Sequence, residues 1–258
     1  MSTVQILYHS NNYLVINKPY DMVVNSNDSN IKHTLQNEIK KIYPNLANKS
    51  LKHEFHFVHR LDYPTSGVIC VALNKNSARA ASLAFEKRQA KKYYLAFVHG
   101  HIKESFLIIN KAIGNDKNEL LGNRKMCTSD DVNCCDKPRC SSTAILVLER
   151  GLRDGKPATK ILLRPGTGRR HQLRVHCYHI GHTIIGDYTY SNRQDVEPHR
   201  TFLHSLRLIL ENDLEKLDII TPDPFDTTDI MNKWKPITIC QELNERTFQT
   251  IDQLITNI

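Results

Sequence analysis

His59-Arg60-Leu61-Asp62-Tyr63-Pro64-Thr65-Ser66-Gly67 sets one carboxylate directly after a cation and an apolar anchor, just ahead of a turn-prone Pro-Thr-Ser-Gly. The apolar run 68–73 follows at once and is short enough to be a buried strand. Asp62 is therefore expected on a loop held against a rigid strand, a common place for catalytic groups. A carboxylate so placed can serve as a nucleophile or as a base. By itself the pattern gives only a positioned acid, and a surface loop with an Arg60–Asp62 ion pair fits it too. The Asp-Thr/Ser-Gly of aspartic proteases does not fit, because Tyr63 and Pro64 intervene and no second copy is present.

A second cluster, Thr167-Gly168-Arg169-Arg170-His171-Gln172, is a glycine turn feeding a helix start. Such a turn gathers donors for an anion: the Arg169 and Arg170 side chains and the amide of Gln172. An amphipathic helix with its cations in solvent is the competing reading.

The elements that would position these groups follow from periodicity and breakers. Strands are expected at 4–9, 13–17, 92–99, 106–110, 143–149, 159–163 and 204–210. Helices are expected at 31–43, after a cap at Asn76, at 170–180 and at 241–258. Residues 218–229 read as a connector, and 115–142 as a flexible insertion. Strands outnumber helices without regular βαβ alternation, which favours an α+β layout with a mixed or largely antiparallel sheet. No repeat or Gly/Ser linker divides the chain, so one domain is expected.

Charge points to a polyanion. The 258 residues carry a net charge of +8, unevenly placed. Between Arg150 and His182 eight Lys/Arg face one carboxylate, whereas from Glu211 onward ten carboxylates face four cations. Two basic segments, 52–100 and 150–182, suit a nucleic-acid face. No apolar run reaches membrane-spanning length, and the N-terminus lacks a secretory pattern, so a cytoplasmic or nuclear, non-secreted protein is expected. Seven cysteines are an odd number, and Cys127, Cys134, Cys135 and Cys140 crowd a polar stretch at spacings that match no structural-zinc template. They are expected to be free surface thiols, with no metal bound.

The first string resembles the signature of the RluA family of pseudouridine synthases, whose aspartate in this position is the catalytic nucleophile. Lys92-Tyr93-Tyr94-Leu95-Ala96-Phe97-Val98-His99-Gly100 resembles the family's Lys-x-Tyr-x-Ala-x-Val-x-Gly strand and places the active-site tyrosine on Tyr94. The stretch 167–176, followed by Gly181-His182-Thr183-Ile184-Ile185-Gly186-Asp187, resembles the third motif and places the catalytic-site arginine on Arg174, with Thr183 departing from the usual proline. The resemblance spans roughly 4–225. It implies a single catalytic domain over 1–225, with a mixed, largely antiparallel central sheet flanked by helices, and a C-terminal helical extension (226–258) packed on it.

What the resemblance implies for function is isomerisation of specific uridines in RNA without a cofactor. Asp62 would be ionised, with Arg174 pairing with it, and Tyr94 would pack against the base and take part in removing the C5 proton. Arg60, Thr65, Gly67, Lys92, Arg169, Arg170, His171 and Gln172 are the expected substrate-binding residues. The expected partner is RNA (tRNA, rRNA or mRNA) and the expected state a monomer. A catalytically silent RNA-binding protein on the same fold is the alternative, against which the intact Asp62, Tyr94 and Arg174 set argues.

Overall fold

The computed structural model describes residues 4–118 and 125–256. Along the chain run β1 (Gln5–His9), β2 (Tyr13–Lys18), α1 (Leu35–Ile42), β3 (His56–Phe57), β4 (Ser66–Ala72), α2 (Lys75–Glu86), β5 (Lys91–His99), β6 (Phe106–Ile109) and β7 (Ile113–Asp116). There follow β8 (Met126–Thr128), β9 (Cys135–Arg139), β10 (Thr143–Arg153), β11 (Lys156–Pro165), α3 (Gln172–His179), β12 (Leu203–Glu211), β13 (Lys216–Ile220), β14 (Trp234–Ile239) and α4 (Glu245–Thr256). The fold is mixed α/β with largely antiparallel pairing, as expected. Its residues form two compact units: Met1–Lys92 with His204–Pro222, and Tyr93–Leu203 with Asp223–Ile258.

In the first unit β1, β2 and β4 pair antiparallel in that order, β3 pairs β4, and β12 pairs antiparallel with β13. The β4–β12 contact is the parallel one, matching Ser66 with His204 and Gly67 with Ser205. All seven residues of β4 are buried, which is why 68–73 reads as a continuous apolar run. Tyr13, Val15, Val68, Cys70, Leu208, Leu210 and Leu217 pack with Ala81 and Ala84 of α2 into one core. Each large aliphatic enclosed there contributes roughly 1.5–3 kcal/mol. Helix α2 is capped by Asn74, not Asn76: its side chain accepts from Ser77 N at 2.9 Å, and Ser77 Oγ accepts from Asn74 N at 3.2 Å. The reciprocal bond needs Ser77 three residues after the cap, which only Asn74 provides.

In the second unit β5, β11, β10 and β14 lie in that order, all antiparallel, with β6 also on β10. Helix α4 packs on β10 and β11. Tyr93 Oη donates to Asp252 at 2.8 Å, and Arg164 Nε lies 2.7 Å from the same carboxylate. The Tyr93 hydrogen bond and the Arg164 ion pair tie α4 to the sheet. The segment after 225 is thus not wholly helical, because Trp234–Ile239 completes a ladder with β10. Likewise β13 occupies part of the expected connector.

The segment expected as a flexible insertion carries a three-stranded sheet in the order β8-β7-β9; its residues 119–124 lie outside the described residues, as do 257–258 of the expected last helix. Cys127 and Cys134 are buried in this region and only Cys140 is exposed, so the expectation of surface thiols fails for two of the four. Ladder pairing turns short polar stretches inward, with Cys127 Sγ donating to Asn115 O at 3.5 Å. Among the described residues no cluster of His, Cys, Asp or Glu could hold a metal ion. No described helix is long and apolar enough to cross a membrane.

Candidate active-site elements and family

The Asp62 loop is seated by backbone bonds at several points in the first unit. Leu61 is buried, and Thr65 N donates to Asp62 O at 3.1 Å, closing the turn that the Pro-Thr-Ser sequence signals. Lys18 is fully buried, and its ammonium donates to the carbonyls of Met22 (2.7 Å), Pro19 (2.9 Å) and Tyr63 (3.2 Å). The Tyr63 carbonyl also accepts from Met22 N at 3.2 Å. A buried ammonium needs this many partners; here one of them is the residue directly after Asp62.

On the other side of the loop, Gly67 has φ +110°, and a Cβ there would stand 2.1 Å from the Ser205 carbonyl oxygen. Only glycine permits both the dihedral and the approach. Ser66 Oγ and His204 Nδ1 share a hydrogen bond of 2.7 Å, and His204 Nε2 meets Thr221 Oγ1 at 2.6 Å. Thr65, Ser66 and Gly67 are all buried. The buried Thr65 and Gly67 thus hold the loop against β12 through their backbones. Arg60 is exposed.

His59 Nε2 accepts from Cys70 N at 2.8 Å, and its ring lies 4.7 Å from that of Phe85. Burial and the nearby Lys92 charge push its pKa down to about 3. The ring is thus a neutral strut between the loop and β4.

In the second unit Tyr94 is buried on β5 opposite Leu163 of β11. Tyr93 lies edge-on to Phe248, with ring centroids 4.9 Å apart. Period-two alternation sends Tyr94 to the opposite face from Tyr93, as the sequence reading expects.

Arg174 and Asp187 form a buried, two-point ion pair: Nε donates to Oδ2 at 2.6 Å and Nη2 to Oδ1 at 2.8 Å. The guanidinium carbon lies 5.2 Å from the Tyr190 ring centroid. Asp187 Oδ1 also accepts from Thr189 N (3.1 Å) and Tyr190 N (3.2 Å), so the carboxylate is fixed before it fixes the arginine. Asp187 was missed in the sequence: a carboxylate thirteen residues beyond an arginine has no periodic signature, though Gly186-Asp187 stood within the third motif.

The turn before α3 differs from the expected anion cradle. Gln172 N donates to Arg169 O at 3.2 Å. The Gln172 side chain accepts from Thr167 Oγ1 (2.6 Å) and Arg169 N (3.0 Å) and donates to Ser142 O (2.8 Å) and Thr143 Oγ1 (3.0 Å). Its amide is thereby saturated, so Gln172 orders the turn and has no capacity left for substrate. His171 takes φ +53° at the helix start, with Nδ1 3.2 Å from Tyr190 Oη. Arg169 Nε donates to Cys140 O at 3.1 Å, and Arg170 is exposed.

The strongly basic segment is also less cationic at its surface than its composition implies. Lys160 lies 2.5 Å from Asp223, Arg164 pairs with Asp252, and Arg174 pairs with Asp187. Two of these partners come from the acidic C-terminal stretch, so part of the charge asymmetry cancels inside the second unit.

A family model described as RNA pseudouridylate synthase matches residues 12–179, a span that holds Asp62, Tyr94 and Arg174. The chain belongs to the RNA pseudouridylate synthase family. The mouse (Mus musculus) RNA pseudouridylate synthase domain-containing protein 1 is 41% identical, over 95% of this chain and 80% of its own length. The tRNA pseudouridine synthase C of Yersinia pestis is 33% identical, over 81% of each chain. The solved structure of human RNA Pseudouridylate Synthase Domain Containing 1 superposes with a TM-score of 0.84 at 38% identity, over 97% of this chain and 95% of that one. Membership of this family makes the chain an RNA pseudouridine synthase, an isomerase with RNA as its substrate.

Proposed function

We propose that Asp62 is the nucleophile with which this synthase converts specific uridines in RNA to pseudouridine. The observation that carries the assignment is the seating of its loop: the Lys18 ammonium holds the carbonyl after Asp62, and Gly67 locks the following strand under Ser205. Preorganisation of that kind is costly in buried polar groups, and it suits a group that must attack from one position.

The reaction breaks the uracil N1–C1′ bond, turns the base and rejoins it through C5. It needs no redox change and no energy input, so a cofactor-free enzyme is proposed. Asp62 acts as the ionised carboxylate. Arg174, oriented by Asp187, serves to favour the charged form, as the family resemblance implies. Tyr94 serves at the base and the C5 proton. The uridine must leave its stack first, at a cost of a few kcal/mol, less in a loop. Arg169 and Arg170 are assigned to backbone phosphates, which position RNA without reading its sequence. A monomer in the cytoplasm or nucleus completes the reading.

RNA carrying uridine tritiated at C5 tests it. A synthase releases tritium and leaves the chain intact; a silent RNA-binding protein releases none, and a hydrolase leaves abasic or cleaved product.

A further inference from the structure

Arg153 and Lys156 face each other across the end of the β10–β11 hairpin, the last matched pair before the Asp154-Gly155 turn. Residues so paired have neighbouring side chains, and like charges directly opposite are destabilising. Neither side chain makes a hydrogen bond or ion pair within the described residues. Lys156 is exposed, so water solvates it. Arg153 is 8% exposed, and its Nε is enclosed without a partner. Its guanidinium lies 4.4 Å from the centroid of the Phe202 ring, and the His199 ring stands edge-on to that same ring at 5.3 Å.

Carboxylates stand close by but are bonded elsewhere. Asp154 pairs with Lys233 Nζ at 2.8 Å. Asp195 accepts from Gly186 N and meets His99 Nε2, both at 2.6 Å. The neighbouring cation Arg200 is engaged, its Nε donating to Thr201 O at 3.1 Å. A nearly buried guanidinium lying over an aromatic ring, with a second cation opposite and no anion bonded to it, has the form of a phosphate site.

The geometry points to a phosphate subsite formed by Arg153 and Lys156, with His199 beside them, that takes a backbone phosphodiester of the substrate RNA. This rests on the reading of the chain as an RNA synthase and extends it to the RNA's footprint. On β11, Lys156 lies seven residues from Leu163, the partner of Tyr94. That separation is about 23 Å at roughly 3.3 Å per strand residue, so the phosphate bound here belongs to a nucleotide well away from the uridine. Burial, Arg200 and Arg153 hold the His199 pKa below its usual range, against an opposing pull from Asp229. A phosphate arriving between them would raise it.

Two measurements test the subsite. In the first, RNA affinity of the wild type, Arg153→Gln and Arg153→Lys is followed across a salt series. Arg153→Gln should bind about tenfold more weakly, with a salt slope shallower by about 0.7. Arg153→Lys should keep the slope while losing part of the affinity, and tritium release at saturating RNA should be unchanged in both. In the second, the His199 ring resonances of the wild type are titrated with pH, alone, with inorganic phosphate and with substrate RNA. Movement to higher pH with RNA supports the subsite, and the phosphate arm shows whether a free anion suffices.

Unchanged affinity and slope in a folded Arg153→Gln would overturn the proposal. So would His199 titration that RNA leaves unmoved, a result that needs no variant to fold. A wild type that releases no tritium would instead sink the underlying enzymatic reading.

Discussion

Asp187 grips Arg174 at two points, Oδ2 on Nε at 2.6 Å and Oδ1 on Nη2 at 2.8 Å, and both side chains are almost completely buried. The guanidinium is therefore oriented by a neighbour that is itself anchored to the Thr189 and Tyr190 amides. Arg174 cannot swing freely towards or away from a substrate.

Asp187→Asn keeps the shape but leaves a buried cation without its counter-charge. Breaking such a pair costs roughly 3–5 kcal/mol, read as a lower midpoint in denaturant. If Asp187 also orients Arg174 for catalysis, turnover at saturating RNA should fall at least about tenfold while RNA affinity changes little. A loss confined to stability would leave Asp187 a structural residue only.

Gly67→Ala should be among the most damaging single-atom additions to this chain. The new Cβ meets the backbone oxygen of Ser205, which cannot move aside without parting β4 from β12, and the φ of +110° is strained for any L side chain. A loss of about 3 kcal/mol or more is expected, with β4 and the Asp62 loop displaced together. Near-native stability in a thermal or urea melt would show that the strand pairing yields more easily than the geometry indicates.

The pH dependence of stability should carry the imprint of His176. This ring is fully buried, meets Thr143 Oγ1 at 2.8 Å and Lys111 O at 3.0 Å, and burial pushes its pKa down to about 4. The unfolded chain, titrating near 6.5, binds the proton that the folded chain refuses. Stability from the neutral ring is thus complete above pH 6.5 and declines as pH falls toward 4, by up to about 1.4 kcal/mol per unit. Urea melts of wild type and His176→Gln between pH 7 and 5 should converge, since glutamine does not titrate. Parallel pH profiles would remove His176 from the account.

The strands that seat Asp62 and Tyr94 were legible because their patterns are local: each carries a short, continuous apolar run, buried on both faces. What escaped the sequence was non-local. Lys18 reads as the end of a strand before a proline, and nothing nearby shows that its ammonium reaches across to Tyr63. Gln172 reads as a polar residue at a helix start, and only the fold reveals Ser142 and Thr143 beside it. Charge counting misled for the same reason: Arg164 and Lys160 look solvent-facing until Asp252 and Asp223 arrive from the C-terminal stretch. Strand β14 was missed because Trp234–Ile239 has one buried end and an exposed remainder, too weak an alternation to stand out.

The measurement closest to the central claim is tritium release by Asp62→Asn. The substitution is nearly isosteric, and Thr65 N bonds the Asp62 backbone carbonyl, a bond the new side chain leaves in place. Folding and RNA affinity should stay near wild type, while release from C5-tritiated RNA falls by at least about a thousandfold, a barrier increase near 4 kcal/mol. Release within about tenfold of wild type, a change near 1.4 kcal/mol, is too small for the loss of a nucleophile and would contradict the assignment of Asp62.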